Sequence, residues 1–468
     1  MFQAPEREAG RNRLATSPLL WVLIGLVIPA LLVYGFAVAN ELQVFGIAAA
    51  VIGLVVILAR PFAGLALFVA LLYTRPEESI KALAGMHFTL VIALVTFLGM
   101  WIHLFLNRER FMRTPLNWMI VGFGCAAFLS SLGHGDSSPA LMDFSRLVIL
   151  MLLVVNLAKT PAHYRSLVTA MLLFTAYLAG YSIYLFFSGG TVMDEGVLRS
   201  KATGIFSDPN DLAATFVAGL ALTLSRVIQS EKWGRLCYAL IAALMVWAIF
   251  MTSSRGGLLG LLAVVGGFFF VYQKNKSVAF VLAGFVGVIL LVATPGRMTN
   301  FDSQESSANS RFVFWDNGIK QLISHPLVGV GYNQFADVNG GFVAHNSFVQ
   351  CFAETGLLGY FFWLGCIYFC FRRFRPGAAG AERGVSRDLL GARLALAGYL
   401  TACFWITRTY SPVLYLLMTL PICQQLSAAG SGDVFTRAFP ERARDWGRIA
   451  LLCAGSIFFI FCLVLRLK

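Results

Sequence analysis

Apolar segments long enough to cross a bilayer follow one another along almost the whole chain, interrupted by a long polar stretch from Thr294 to Asn346. In hydrocarbon every backbone N–H and C=O needs an internal partner, so segments of this kind are restricted to helices packed side by side. Hydrophobic residues make up 58% of the 468 and charged residues 13%, with a mean hydropathy of +0.75, which excludes a soluble globule. The fold class is therefore an all-α polytopic membrane protein, with roughly 12–15 transmembrane helices at bilayer-crossing length. Spans are expected at 19–38, 44–59, 62–73, 88–106, 118–132, 141–157, 167–187, 212–228, 236–252, 257–272, 278–293, 347–371, 393–410, 412–426 and 449–465.

A net charge of +13 would suggest nucleic acid in a soluble protein, but here the cations sort by loop and nucleic acid is not an expected partner. Arg60, Arg108/Arg110/Arg113, Lys159/Arg165, Lys232/Arg235, Lys274/Lys276 and Arg372/Arg373/Arg375 occupy alternate loops. By the positive-inside rule these face the cytoplasm, which puts loop 294–346 outside. Residues 1–18 read as a retained cytoplasmic tail, since no small-residue cleavage site follows. The chain divides into this tail, helices over 19–293 with outer loops at 188–211 and 252–257, the large outer loop 294–346, and C-terminal helices over 347–468. The nine cysteines show no metal-ligand spacing and read as free core thiols; Cys366 and Cys370 form a packing pair.

Chemistry is expected where the large loop meets the following span. Ser347 to Gln350 (SFVQ) reads as a capping box, starting a helix just after His345. His345 would then sit at a helix N-terminus, where an imidazole stays neutral near pH 7 and free N–H groups attract anions. It is either a base or an outer-end cap. Upstream, Ser310 to Ser324 places Phe312, Trp315, Ile319, Leu322 and Ile323 at helical spacing, an amphipathic helix lying along the membrane with Arg311 at its start. The glycines of Pro326 to Tyr332 (PLVGVGY) permit a tight turn back toward the membrane. On a straight helix Glu354 falls about 13 Å deeper than His345 and on the opposite face, a buried structural partner, whereas Gly356 and Gly359 return to the His345 side and admit a close neighbour.

Other outer segments carry further candidates. Arg146, three residues after Asp143 in the sixth span, is either a structural pair or a cation directed at an anionic substrate. Arg199 and Lys201 could reach an anion or simply be solvated. Asn210 and Asp211 could cap the helix after Pro209 or bind substrate. Arg255 stands in a short turn with two glycines (TSSRGG) at the membrane surface. His134 and Asp136 read as solvated. Convergence of Arg199, Arg255 and Arg311 beside His345 would describe a site for a lipid-linked phosphate or pyrophosphate.

The ordered set Asp208-Pro209-Asn210-Asp211-Leu212-Ala213, Ser254-Arg255-Gly256, Ser310-Arg311 with Trp315, His325-Pro326-Leu327-Val328-Gly329-Val330-Gly331, His345-Asn346-Ser347 and Glu354-Thr355-Gly356-Leu357-Leu358-Gly359 resembles the bacterial O-antigen ligase and polymerase superfamily. The resemblance covers Gly204 to Gly359. It implies a GT-C-like membrane glycosyltransferase of the inner membrane, working on the periplasmic side without a metal or other cofactor. The implied donor is a glycan on undecaprenyl pyrophosphate; the acceptor is lipid A-core in ligases or another lipid-linked glycan in polymerases. His345 matches the essential histidine of the family, and Arg255 and Arg311 match arginines that hold the pyrophosphate. Trp315 and Asn346 fall in the same motifs; Arg146 and Arg199 have no motif match. A non-catalytic lipid-glycan transporter is the competing class, but transporters place polar residues at the midplane in repeated halves, and here polarity gathers at the outer surface.

Overall fold

The computed structural model describes residues 41–80, 85, 87–132, 138–194, 196–292, 306–372, 383–429 and 443–467. The tail 1–18, the first expected span, His134, Asp136, Arg373 and Arg375 lie outside the described residues. Among the described residues, fifteen helices have fourteen residues or more: α1 Glu41–Ala59, α2 Pro61–Thr74, α3 Phe88–Leu106, α4 Pro115–Ser131, α5 Ser138–Leu157, α6 Pro161–Phe187, α7 Pro209–Gln229, α8 Lys232–Met251, α9 Arg255–Tyr272, α10 Lys276–Val292, α11 Ser306–Ser324, α12 Ser347–Phe371, α13 Arg383–Cys403, α14 Pro412–Ala429 and α15 Ala443–Leu467. Eight of these are long and apolar enough to cross a membrane, and α2, α4 and parts of α1 and α10 are shorter apolar helices. The fourteen expected spans that fall on described residues each meet a helix. The one expected over 393–410 ends seven residues early, at Cys403, and begins ten residues early, at Arg383.

Several helices start the same way. Pro61, Pro115, Pro161 and Pro209 stand in the first turn, where a missing N–H costs nothing. Thr114, Thr160 and Asp208 cap three of them by accepting from the backbone N–H of Asn117, His163 and Asn210. Asp208 therefore caps α7, in place of the expected Asn210 or Asp211. A small antiparallel hairpin, β1 Val192–Asp194 with β2 Val197–Arg199, lies in the outer loop 188–211 of this all-α bundle.

Two layers of polar ties hold the bundle ends. At one end Asp388 accepts from Gln229 at 2.9 Å and pairs with Arg226 at 3.5 Å, while buried Asp445 pairs with Arg372 at 2.7 Å and accepts from Tyr368 at 2.7 Å. Asn156 there accepts from the backbone of Met112 at 2.8 Å. The other end, the site end, carries Arg199, Ser254, His345 and Arg408. Between them lies an aromatic and aliphatic core that includes Phe352, Tyr360, Trp363, Tyr399 and Tyr415, all fully buried. Six cysteines are buried and three exposed, all free.

The long helix α12 is broken at Gly356, whose φ of 63° and ψ of −167° are not helical. The break releases the carbonyls of Ala353 and Glu354 and the N–H groups of Leu357 and Leu358, which would have paired with each other. The turn after α11 takes all four: Val330 N and Gly331 N donate to Ala353 O (2.9 Å) and Glu354 O (3.1 Å), and Leu357 N and Leu358 N donate to Pro326 O (2.8 Å) and Leu327 O (3.1 Å). Only glycine fits on either side of this contact. A Cβ on Gly356 would lie 2.4 Å from the Leu327 carbonyl, and one on Gly329 (φ 73°) 2.4 Å from that of Glu354. The close neighbour expected at Gly356 is thus a loop rather than a helix, and a Cβ on Gly359 would first meet Thr355 of its own helix.

Gly356→Ala is expected to destabilise the protein by about 3 kcal/mol or more, since it adds left-handed strain to a backbone clash. Gly455→Ala, in open space on α15, should shift the unfolding midpoint by less than the equivalent of about 1 kcal/mol. Thermal unfolding in detergent, monitored by intrinsic tryptophan fluorescence, compares the two.

Candidate active site

Three helix N-termini meet at the site end: α7 at Asp208, α9 at Ser254 and α12 at Asn346. Ser254 caps α9 by accepting from Gly257 N at 3.2 Å, and its hydroxyl donates to Asn210 Oδ1 at 2.8 Å, which fastens α9 to α7. Arg408, in the segment between α13 and α14, forms a paired contact through Nε and Nη2 with the buried Asp211 carboxylate, and stands 3.6 Å from Asp208. Its backbone N–H donates to Ser347 Oγ at 2.8 Å, and that hydroxyl donates to Ile406 O at 2.7 Å, so the same segment fastens α7 to α12. Each N-terminus contributes free N–H groups and a partial positive charge.

Ser347 is therefore not the cap it was expected to be. Asn346 is, accepting from Phe348 N (2.9 Å) and Val349 N (3.1 Å), while Gln350 turns inward and donates to Glu354 Oε1 at 3.0 Å. His345 lies just before the cap in a left-handed conformation, φ 49°. Such a conformation costs an L-residue roughly 1–2 kcal/mol. It is held by Trp315, which is fully buried, donates from Nε1 to Ala344 O at 3.0 Å, and packs edge-on against Phe312 and Phe404. Burying a tryptophan of about 200 Å² contributes about 5 kcal/mol, so the anchor outweighs the strain.

Arg311 stands five residues into α11 rather than at its start, one helical turn before Trp315 and on the same face. Its charge acts on His345. Burial lowers the imidazole pKa from its ordinary value, Arg311 lowers it further, Asp208 opposes and Arg408 adds to the lowering. The direction is the one expected from the sequence, but burial leads the causes. Arg255 opens α9, where Gly256 lies against Trp405, and Trp405 packs against Trp315 with ring centroids 5.8 Å apart. His345, Arg311, Arg255, Trp315, Asn346, Asn210 and Asp211 thus belong to one connected set. The apolar side of α11 packs Trp315, Ile319 and Leu322 inward but leaves Ile323 exposed.

Other expected site residues stand differently. Arg199 is buried, and its three nitrogens donate to Thr252 O (2.8 Å), Asp194 (2.7 Å) and Asn210 Oδ1 (2.8 Å), which ties hairpin, α8 and α7 together. Lys201 lies half-buried on the loop after β2, outside this hydrogen-bonded set. Arg146 pairs with Asp143 at 3.2 Å and lines a neighbouring cavity. Glu354 is fully buried, accepting from Phe335 N (3.2 Å), Gln350 and Tyr410 (2.7 Å). Among the described residues no group of three His, Cys, Asp or Glu side chains is placed to hold a metal ion. A cavity of about 390 Å³ opens beside Arg408 and Asp211, lined also by Val343, Gln350, Asn333 and Tyr410. Arg408 was missed because it fell inside an expected span, near its outer end; an arginine there was itself a signal.

Residues 240–364 match the family model described as O-antigen ligase. The match supports a relationship to the O-antigen ligase and polymerase superfamily over these residues, which make up less than half of the chain. No curated protein matches the chain. The superfamily segment carries Arg255, Arg311, Trp315, His345, Asn346 and the Gly356 break, whereas Asn210, Asp211 and Arg408 come from outside it. The family supports glycan transfer of the ligase or polymerase type.

Removing Arg408 leaves the Asp211 carboxylate buried without its partner. Breaking a fully buried pair costs about 3–5 kcal/mol, and Arg408→Ala is expected at about 2 kcal/mol because the arginine keeps some solvent contact. Asp211→Asn combined with Arg408→Gln should recover at least half of that loss in the same unfolding assay.

Proposed function

We propose that the chain transfers a glycan from undecaprenyl pyrophosphate to a sugar hydroxyl at the periplasmic face of the bacterial inner membrane, with lipid A-core as the acceptor in O-antigen ligation. The observation that carries this reading is the meeting of three helix N-termini, one of them opened by Arg255, beside a half-buried imidazole whose pKa Arg311 and Arg408 help to lower. Supporting the sidedness, the basic loops at Arg60, Arg108 to Arg113, Lys159, Lys232 to Arg235 and Lys274 to Lys276 all fall at the bundle end away from His345.

In this reading Arg255 and Arg311 hold the pyrophosphate oxygens, and the helix N-termini add N–H groups to them. Breaking the bond between the anomeric carbon and the pyrophosphate oxygen moves negative charge on to the leaving group, where these donors stabilise it without a metal. The acceptor hydroxyl attacks the anomeric carbon and passes its proton to His345, which must be neutral to receive it. The Asp211–Arg408 and Asp208–Arg408 contacts keep the two carboxylates from opposing an anionic donor. Polymerisation of repeat units uses the same steps with another lipid-linked glycan as acceptor.

Transfer of lipid-linked glycan by purified protein in nanodiscs tests the mechanism. His345→Ala should lower the rate at least 100-fold while donor binding stays within about threefold, since the arginines remain. Arg255→Lys should lose at least tenfold, because an ammonium lacks the planar fork of a guanidinium. A fully active alanine variant would remove His345 from the chemistry.

The wild-type rate should persist in excess chelator and fall only at a pH below the ordinary imidazole range, because burial and Arg311 lower the pKa of the ring and the protonated ring cannot accept a proton. The depressed folded pKa has the same sign for stability. The unfolded state takes up the proton first, so stability is lost as pH falls through the folded value. Glycan profiling of a deletion strain separates the acceptors: free lipid-linked long chains mark a ligase, and single repeat units on core mark a polymerase.

A further inference from the structure

A second cavity, of about 490 Å³, opens at the site end among α2, α3 and α5. Polarity falls with depth along each of the three helices. On α2 the lining runs from Arg75 to Leu72 and Phe68, a descent of about 10 Å over seven residues. On α3 it runs from His87 to Leu90 and Ala93, and on α5 from Arg146 to Leu147 and Leu150. A polar mouth above an apolar shaft suits an amphiphile, with its headgroup at the surface and its first chain carbons among the helices.

The mouth is arranged for an anion. Arg146 uses Nη1 on Asp143 at 3.2 Å and keeps 44% of its side chain exposed at the opening. The second Asp143 oxygen accepts from Tyr332 OH at 2.9 Å, which fixes the carboxylate and leaves the guanidinium as the adaptable partner. Arg75 pairs with Glu78 at 2.6 Å from the margin. The lining holds two arginines and one carboxylate, with Glu78 paired to Arg75 beside it.

Backbone strain marks the same place. Seven non-glycine residues among those described have left-handed backbones, and Arg75 (φ 42°), His87 (φ 47°) and Asn333 (φ 58°) all line this cavity. Strain of this kind persists only where the surroundings over-determine it, and it gathers at sites that bind. Asn333, Tyr410 and Pro412 also line the 390 Å³ cavity beside Arg408, so the two cavities share a wall.

We propose that this cavity binds the acceptor, an anionic glycolipid. Its phosphate lies at Arg146 and Arg75, its first acyl carbons lie along Phe68, Leu72 and Leu150, and its saccharide crosses the Asn333–Tyr410 wall toward His345. The assignment rests on the transferase reading above. It gives each substrate its own anion site, donor at Arg255 and Arg311, acceptor at Arg146 and Arg75.

Full-length protein in nanodiscs tests this with two readouts. The first is binding of bis-phosphorylated lipid A and of its dephosphorylated form, followed by native mass spectrometry. The second is initial transfer rate with acceptor and donor varied separately. Arg146→Gln, at an exposed position that should not disturb folding, is expected to weaken lipid A binding at least fivefold. It should raise the half-saturating acceptor concentration by a similar factor and leave the donor value within twofold. Leu150→Trp, which fills the shaft, should do the same. Equal binding of both lipid forms by the wild type, or unchanged binding in Arg146→Gln, overturns the proposal. So does a shift confined to the donor value, which would assign the cavity to the donor lipid. Absence of transfer by the wild type would instead sink the transferase reading, and the binding arm would still decide whether the cavity takes an anionic glycolipid.

Discussion

Backbone groups inside a bilayer must be paired, and the way this chain meets that demand at Gly356 governs the rest of its site. Four groups freed by the break in α12 are paired by the turn at 326–331, which draws that turn into the bundle beside Glu354. Irregular backbone at such depth is tolerated only where protein buries it. The side chain of Glu354 then reaches Phe335 N, Gln350 and Tyr410, so the break, the loop before His345 and the segment carrying Arg408 become one unit. The loop 332–344 is held at its start by this contact and near its end by the Trp315 bond to Ala344. His345 is left little choice of position, even in a strained conformation.

Charge at the site end is organised around the same unit. The arginines that contact carboxylates there do so at the edges: Arg408 with Asp211 and Asp208, Arg199 with Asp194, Arg146 with Asp143. The Arg408 contacts tie the segment before α14 to α7, the Arg199 pair closes the hairpin, and the Arg146 pair lies within α5. A carboxylate so close to an imidazole would raise its pKa; here burial and the two arginines outweigh Asp208 and the ring stays below its ordinary value. The balance suits proton acceptance by the ring more than proton donation.

Much of this was legible along the chain. Spans over 88–106 and 347–371 coincide with α3 and α12 residue for residue, because unbroken apolar runs bounded by polar residues leave no other end point. Helix starts were found to within a few residues, yet the capping residue was misassigned twice. Ser347 has the right chemistry for a cap but points to Ile406 and Arg408, contacts that lie about sixty residues away in sequence. Asp208 caps across Pro209, where Asn210 instead bridges Arg199 and Ser254. In both cases several residues could satisfy the same N–H groups, and distant partners chose among them.

The sequence alone determined that the chain is a helical membrane bundle with its polar chemistry at one end, because hydropathy and loop charge act locally and allow few alternatives. It also marked His345, Arg255 and Arg311, through residue types and an ordered set of short motifs. Tertiary structure decided which cations stand beside the histidine and which are spent on holding helices together, since Arg199 and Arg408 look alike until their partners are known. It also decided that α12 breaks at Gly356. A glycine in an apolar run is compatible with a straight helix, and only the arrival of the 326–331 turn, with four backbone groups to pair and no room for a Cβ, makes the broken form the stable one.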